Sequence, residues 1–243
     1  MILKSGDYIK DKYSCDYLVI GTGAGGSVAG TLLAEKGCDV VFIEEGGYFP
    51  TSSFNNKVGD MTAKLYRNRG ISPLIGKPLV ALAEGRCVGG GTVINGEGLF
   101  RTPKRILDEW QQDYGLMGYS YANLEGHFQK VERDLNVESK SISSEKNTNL
   151  DSQKLIEGAR NLNWRTEIVP RAAKDCKYTN SCSIGCPTGA KQSTLVSYLP
   201  RALEAGAKIF SDCRVIKVNH SKGTAYSVIA EITKNNKKQK IEV

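Results

Sequence analysis

Residues 16–30 read DYLVIGTGAGGSVAG, and this stretch decides the fold. The apolar run Tyr17–Ile20 reads as a short buried strand, Ser27–Lys36 has helical composition, and Asp39–Glu44 reads as a second buried strand. Between the first strand and the helix lies Gly21-x-Gly23-x-x-Gly26. Gly21 allows a tight turn, Gly23 lets a pyrophosphate approach the backbone, and Gly26 lets helix and strand pack closely. Amides at the helix N-terminus then face the phosphates, helped by the helix dipole. The expected fold is α/β and Rossmann-like, of the FAD/NAD(P)-binding kind, with the βαβ unit over 15–47. Glu44 or Glu45 lies at the distance expected of the acid that binds a ribose hydroxyl. Glu44, the first acid after the apolar run, is the better placed of the two. Gly30 extends the glycine pattern by another turn and favours FAD over NAD.

A second stretch, EGRCVGGGTVING over 84–96 with its surroundings to residue 100, forms a glycine-rich loop. Three consecutive glycines leave backbone bare for a flat or anionic ligand. Arg86 offers a planar donor fork, and Asn95 offers both a donor and an acceptor. Alone, the segment also fits a flexible surface loop.

The rest of the chain reads as packing. Thr102 and Pro103 start one helix, and Ser120 caps a second with the stripe Leu124, Phe128, Val131, Leu135. Asp151 or Ser152 starts a third, with Leu155, Ala159 and Leu162 on one face. The polar stretch 139–149 reads as a surface loop. From 207 to 243 the pattern is β, with strands over 209–220, 225–234 and 238–243 and a turn at Asn235-Asn236, giving a hairpin-like end.

Of the 243 residues, 40% are apolar and 24% charged, which excludes a disordered chain. No apolar run is long enough for a membrane span. The excess of 33 Lys+Arg over 26 Asp+Glu raises a nucleic-acid question. Part of it sits in the last ten residues, KNNKKQKIEV, and no aromatic-interleaved basic stripe supports a nucleic-acid partner. The N-terminus lacks the apolar core of an export signal, so the cytoplasm is the expected compartment.

Seven cysteines, an odd number, argue against a disulfide framework. Cys15, Cys38, Cys87 and Cys213 stand apart, beside apolar runs, as small buried side chains. Cys176, Cys182 and Cys186-Pro187, within the segment 176–190, cluster at spacings that can converge on one metal centre. Three ligands are too few for closed tetrahedral zinc but suit a three-iron cluster. A cysteine-rich loop without metal is the competing reading.

Taken together, DYLVIGTGAGGSVAG, VVFIEEGG and EGRCVGGGTVING resemble the glucose–methanol–choline (GMC) family of FAD-dependent oxidoreductases. KQSTLVSYLPRALEAGAKIFSDCRVIKV follows in the family's order, so the resemblance covers nearly the whole chain. It implies that Gly21, Gly23, Gly26 and Glu44 bind the ADP half of FAD. It places the Arg86–Asn95 loop along the pyrophosphate and isoalloxazine, with Gly89, Gly90 and Asn95 closest. Val215 then contacts the adenine through its backbone. The family's usual aromatic falls one place late, at Phe100, with Leu99 before it. Ile94 stands where some members carry a histidine bonded to the flavin, so the FAD here is expected to be non-covalent.

CKYTNSCSIGCPTGAK resembles the flavoprotein subunits of bacterial sugar and polyol dehydrogenases, some of which carry an iron-sulfur cluster on such cysteines. Through that branch, the periplasm stays open by export with a partner. The implied reaction is hydride transfer from an alcohol, sugar or polyol to FAD, assisted by a histidine base late in the family's chain. Neither His127 nor His220 stands in that motif, so no catalytic residue is assigned. The substrate part of the family fold is not evident in 1–243. Two readings follow: the FAD-binding half of an alcohol or sugar dehydrogenase or oxidase, truncated or completed by a second chain, or a non-catalytic FAD-binding module, with or without an electron-transfer cluster.

Overall fold

Val40–Ile43, Val-Val-Phe-Ile, has no polar side to turn to water, and a strand of that kind must be covered on both faces. It is, with all four side chains buried. The computed structural model describes residues 1–4, 7, 10–138, 149–234 and 237–243. The chain divides into two compact units, residues 1–96, 178–189 and 193–243 in the first and 97–177 and 190–192 in the second.

The first unit begins with β1 (Ile2–Leu3), β2 (Tyr17–Ile20), α1 (Ala24–Glu35) and β3 (Val40–Ile43). Helix α2 (Val58–Leu65), the hairpin β4 (Ser72–Leu74) and β5 (Val80–Leu82), and the single turn α3 (Gly91–Ile94) follow. The second unit holds α4 (Lys104–Tyr114), α5 (Tyr121–Asp134), β6 (Val137–Glu138), α6 (Leu150–Asn161) and β7 (Arg171–Ala172). The chain then returns to the first unit with α7 (Tyr198–Glu204), β8 (Lys208–Phe210), β9 (Cys213–Ser221), β10 (Thr224–Lys234) and β11 (Lys237–Glu242).

Strands β1, β8, β3 and β2 lie in that order in one sheet, every pair parallel. Because successive side chains of a strand point to opposite faces, β3 feeds two cores. Val40 and Phe42, with Ile209 of β8, join Ala34, Met61, Leu65, Leu199 and Ala202 from the helices. Val41 and Ile43, with Phe210, pack on Cys213, Val228, Ala230, Ile232 and Ile241 of the antiparallel sheet β11-β10-β9. The parallel sheet is thus sandwiched between helices and a second sheet.

The βαβ order holds, with α1 starting three residues earlier than its composition suggests, but β2 is not buried: it is the edge strand of the sheet, with Tyr17 and Ile20 exposed. The C-terminal β segment needs correction. Residues 209–220 are not one strand: β8 ends at Phe210 in the parallel sheet and β9 starts at Cys213 in the antiparallel one. The break falls at Asp212, whose φ of 54° lies in the left-handed region that a continuous strand cannot use. The Asn235-Asn236 turn and residues 139–148 lie outside the described residues.

In the second unit, Ser120 caps α5 as expected, accepting a hydrogen bond from Asn123 N–H at 3.2 Å. Pro103, not Thr102, occupies the cap position of α4, and no side chain caps it. Helix α6 is capped by Asn149, whose Oδ1 accepts from Ser152 N–H at 2.9 Å. Its buried residues are Ile156 and Ala159, whereas Leu155 (74% exposed) and Leu162 (60%) face solvent. The apolar stripe is therefore turned by one residue from the one expected. The residues Leu124, Phe128, Val131 and Leu135 are half-buried along one face of α5. No helix among the described residues is long and apolar enough to cross a membrane.

Candidate functional site

Strand β2 ends at Gly21, whose N–H donates to the Ile43 carbonyl at 2.8 Å and whose φ is 90°. That left-handed conformation turns the chain sharply, so that Gly23 becomes the N-cap of α1. No side chain caps α1 and no acid lies in its first turn. Its first amides and the positive end of its dipole are therefore available to an anion.

The glycines differ in what surrounds them. A Cβ on Gly26 would lie 2.2 Å from the Gly21 carbonyl oxygen and 3.1 Å from Val19 Cγ1. One on Gly30 would lie 2.3 Å from Phe42 Cζ. These two glycines let α1 rest against the sheet. A Cβ on Gly23 or Gly25 meets no protein atom within 4 Å. That open space lies at the helix N-terminus.

At the end of β3 the two acids part company, as neighbours in an extended segment must. Glu44 is 7% exposed. Its Oε2 accepts from Thr22 N–H at 2.9 Å and from the Thr22 hydroxyl at 2.7 Å, while Oε1 accepts from Gly46 N–H at 2.8 Å. Glu45 turns the other way, accepting from the Arg67 guanidinium at 3.1 and 3.0 Å and from Arg86 Nε at 3.1 Å. Of the two acids, Glu44 is the one at the glycine turn. Arg86, expected to offer its fork to a ligand, is half-exposed and directed at Glu45.

The Arg67 fork holds the Glu45 carboxyl below the usual carboxylate range, against the opposing effect of burial. A carboxyl depressed in the folded state stabilises above its unfolded value, near 4.5, and that contribution is lost as pH falls through the folded value. Glu45→Gln should therefore lower stability at pH 7 by on the order of 1 kcal/mol, a figure discounted for solvent exposure. The gap to the wild type should be narrower at pH 3. Urea midpoints at both pH values check this; an unchanged gap at pH 3 refutes it.

The 84–96 loop closes over the turn. A Cβ on Gly46 would lie 2.2 Å from the backbone of Arg86 and Cys87, so the two segments cross in backbone contact. Val88 N–H donates to the Gly47 carbonyl at 3.0 Å, and Gly89 N–H to the Thr22 hydroxyl at 2.9 Å. Gly90, at φ 53°, comes so near Gly23 that its Cβ would lie 3.0 Å from the Gly23 Cα. Asn95 follows α3 and is exposed, while Ile94 is buried beneath it. The loop is thus held against the turn, not loose on the surface.

Strand β9 starts beside the same acid, with Cys213 N–H donating to the Glu44 carbonyl at 2.9 Å. Val215, two residues on, pairs with Ala230, and the ladder slips at Ile216 in a bulge of the sheet-edge kind. Burial pushes the Cys213 thiol up to about 12, which marks it as a packing residue.

Gly21, Gly23, Gly26, Glu44, Gly89 and Gly90 are therefore gathered in one place, with Val215 close along β9. Sequence reading missed three threonines that tie the place together. Thr22 is fully buried, Thr194 nearly so, and Thr92 Oγ1 lies 3.1 Å from Thr194 Oγ1. Only Thr22, set between two of the motif glycines, carried any local signal.

The structure gives the proposed metal centre no support. All seven cysteines are thiols. Among the described residues no three His, Cys, Asp or Glu side chains are grouped to hold a metal ion. Packing accounts for the 181–186 turn instead. Gly185, at φ 88°, lies against Phe54 and Leu65, Tyr66 hydroxyl donates to the Ser183 carbonyl, and Ser181 donates to Asn56 Oδ1 at 2.7 Å. His127 on α5 and His220 on β9 are both exposed.

Known proteins agree with this architecture. An uncharacterised GMC-type oxidoreductase of Sinorhizobium fredii is 35% identical over 217 residues, 89% of this chain and 42% of its own length. A long-chain-alcohol oxidase of Arabidopsis thaliana is 33% identical over 203 residues, 84% of this chain and 26% of its own length. The chain thus spans less than half the length of either relative. The crystal structure of pyridoxine 4-oxidase from Mesorbium loti superposes on 94% of the chain and 48% of its own with a TM-score of 0.65, at 15% identity, a likeness of fold. The family model for GMC oxidoreductases matches from residue 15 to residue 243, from just before β2 to the last residue. On that extent of match, the chain belongs to the GMC oxidoreductase family.

Proposed function

We propose that this chain is the FAD-binding part of an oxidoreductase acting on CH–OH groups. The observation that carries the reading is the cradle at the start of α1. Gly23 and Gly25 leave open space exactly at uncapped helix amides, while Gly21, Gly26 and Gly30 are spent on the turn and the packing. A pyrophosphate suits that place by charge, and the absence of protein atoms there lets it approach the backbone.

The remaining residues extend the fit. A carboxylate has about four acceptor sites, and Glu44 uses three on Thr22 and Gly46, leaving a site for a ribose hydroxyl. Gly89, Gly90 and Asn95 lie on the path toward the flavin, and the backbone of Val215 on the path toward the adenine. Ile94, buried and without a nucleophilic atom, leaves the FAD non-covalent. When bound, FAD supplies the hydride acceptor for a carbinol carbon. What these residues do is anchor its phosphates, hold its ribose and keep its ring oriented.

The long-chain-alcohol oxidases among the relatives favour an alcohol as the donor, with sugars and polyols in the same chemical class. No base is assigned to His127 or His220, and the three clustered cysteines take no part in the reading. A second chain or an electron acceptor remains a proposed partner of the whole protein.

Titration of the purified chain with FAD tests the proposal. Quenching of flavin fluorescence at micromolar concentrations, reversed by denaturation and extraction, is the expected result. A folded chain that ignores FAD but binds NAD would overturn it, as would flavin that stays attached after denaturation.

A further inference from the structure

Backbone and side-chain groups from three distant stretches meet at the Gly89–Gly90 loop. The Thr194 hydroxyl lies 3.1 Å from the Thr22 carbonyl and 3.3 Å from the Gly89 carbonyl, and can donate to either. Thr194 N–H donates to Thr92 Oγ1 at 3.1 Å, and the Thr92 hydroxyl donates to the Gly89 carbonyl at 2.6 Å. On the other side, Gly89 N–H donates to Thr22 Oγ1, whose own proton goes to Glu44. Both ends of the Gly89 peptide unit are therefore held, and Thr194 is the residue that touches the glycine turn and the loop at once.

We infer that Thr194 is a positioning residue for the dinucleotide. It holds the Gly90 loop against the Gly23 turn, beside the open space at the start of α1 that the cofactor's pyrophosphate would occupy. The inference rests on the FAD-binding reading above and adds a residue to it. The geometry explains why a hydroxyl is needed. Valine has the same shape but has no proton for either carbonyl; the Thr22 carbonyl keeps Ser27 Oγ at 2.6 Å and the Gly89 carbonyl keeps Thr92 Oγ1 at 2.6 Å, so what is lost is the link between turn and loop. The loop is then free to rise from the turn, where Gly90 now lies in near contact with Gly23. A loosened clamp costs affinity because the cofactor must order it on binding.

Thr31 supplies the control. It is fully buried on α1, and its hydroxyl donates to the Tyr198 carbonyl at 3.1 Å, away from the loop. Thr31→Val loses a comparable buried hydrogen bond without touching the clamp. The experiment measures FAD dissociation constants by fluorescence quenching, at a temperature where circular dichroism shows every variant folded. Thr194→Val should weaken FAD about tenfold or more, and Thr194→Ser should restore it to within about threefold. Thr31→Val should lower the melting temperature yet leave affinity within about threefold. Wild-type affinity in folded Thr194→Val overturns the inference. Should that variant not fold, Thr92→Val decides, since its removal frees the same Gly89 carbonyl: unchanged affinity overturns the inference and weakened affinity supports it. A wild-type chain that does not bind FAD sinks the underlying reading instead, and this inference with it.

Discussion

Gly26→Ala should unfold at a markedly lower urea concentration than the wild type, whereas Gly23→Ala should unfold where the wild type does. Both replace a glycine of one motif by the same small residue, three positions apart. The alanine methyl at 26 would lie 2.2 Å from the Gly21 carbonyl oxygen, and that peptide is pinned because its N–H, that of Thr22, donates to Glu44 Oε2 at 2.9 Å. Relief requires α1 to lift from β2, which loosens the contact of Gly30 with Phe42 further along the helix. Overpacking of this kind costs about 3 kcal/mol or somewhat more. At 23, by contrast, the backbone angles of −68° and −171° suit any residue, and the methyl meets nothing. Folding stability should stay level or rise by about 0.5 kcal/mol through the stiffer unfolded chain. The methyl would nonetheless fill the space proposed for the pyrophosphate, so FAD affinity should fall about a hundredfold. Equal urea midpoints for the two variants would show that the glycines do not divide their work in this way.

How much of this could be read from sequence depends on how local the cause is. Strands β2 and β3 and helix α1 were legible because each is specified by its own residues: two short apolar runs, β3 buried and β2 at the sheet edge, and glycines at the turn between them. Strand β1 was not, since Ile2 and Leu3 owe their conformation to pairing with Ile209 and Phe210 at the other end of the chain. The IFSDCRVIKV stretch misled for a related reason. Its apolar spacing continues smoothly across Ser211-Asp212, while the chain changes sheets there. Glu44 N–H donates to the Phe210 carbonyl and Cys213 N–H donates to the Glu44 carbonyl, so one residue of the β3 end binds both sides of the corner.

The site shows the same division. The glycines announced themselves by spacing, and the choice between Glu44 and Glu45 follows from alternation along the strand once its end is known. The threonine clamp is assembled from residues 22, 92 and 194, of which only Thr22 carries a local signal, and only folding brings their hydroxyls together. The cysteine segment is a different case. Its spacing suggested ligands, which the described residues do not support, and Gly185 at positive φ against Phe54 gives the turn a packing role that spacing cannot reveal.

Glu44→Ala should have the second large effect, on stability and on cofactor affinity together. The carboxylate accepts from Thr22 N–H, the Thr22 hydroxyl and Gly46 N–H, and no water replaces it easily at 7% exposure. Hydrogen bonds to a charged group contribute about 1.5–3 kcal/mol each, and abandoned donors in a buried place cost more than a lost surface contact. Since the three share one acceptor group they do not add in full, and a loss of about 3–5 kcal/mol in urea unfolding is expected. Thr22→Val removes one of the same bonds, so the double variant should be less destabilised than the two singles together. Strict additivity would mean that Thr22 and Glu44 act apart. Affinity is best read from Glu44→Gln, which keeps the size of the side chain and one carbonyl oxygen. Its amide nitrogen brings donors to a place already crowded with donors, and it loses the charge that attracts a ribose hydroxyl. FAD should bind about tenfold or more weakly to folded Glu44→Gln and within about threefold of wild type to Glu45→Gln. The adjacent acids differ by one position and no charge, yet one faces the glycine turn and the other two arginines. Equal weakening by both substitutions would place the ribose elsewhere.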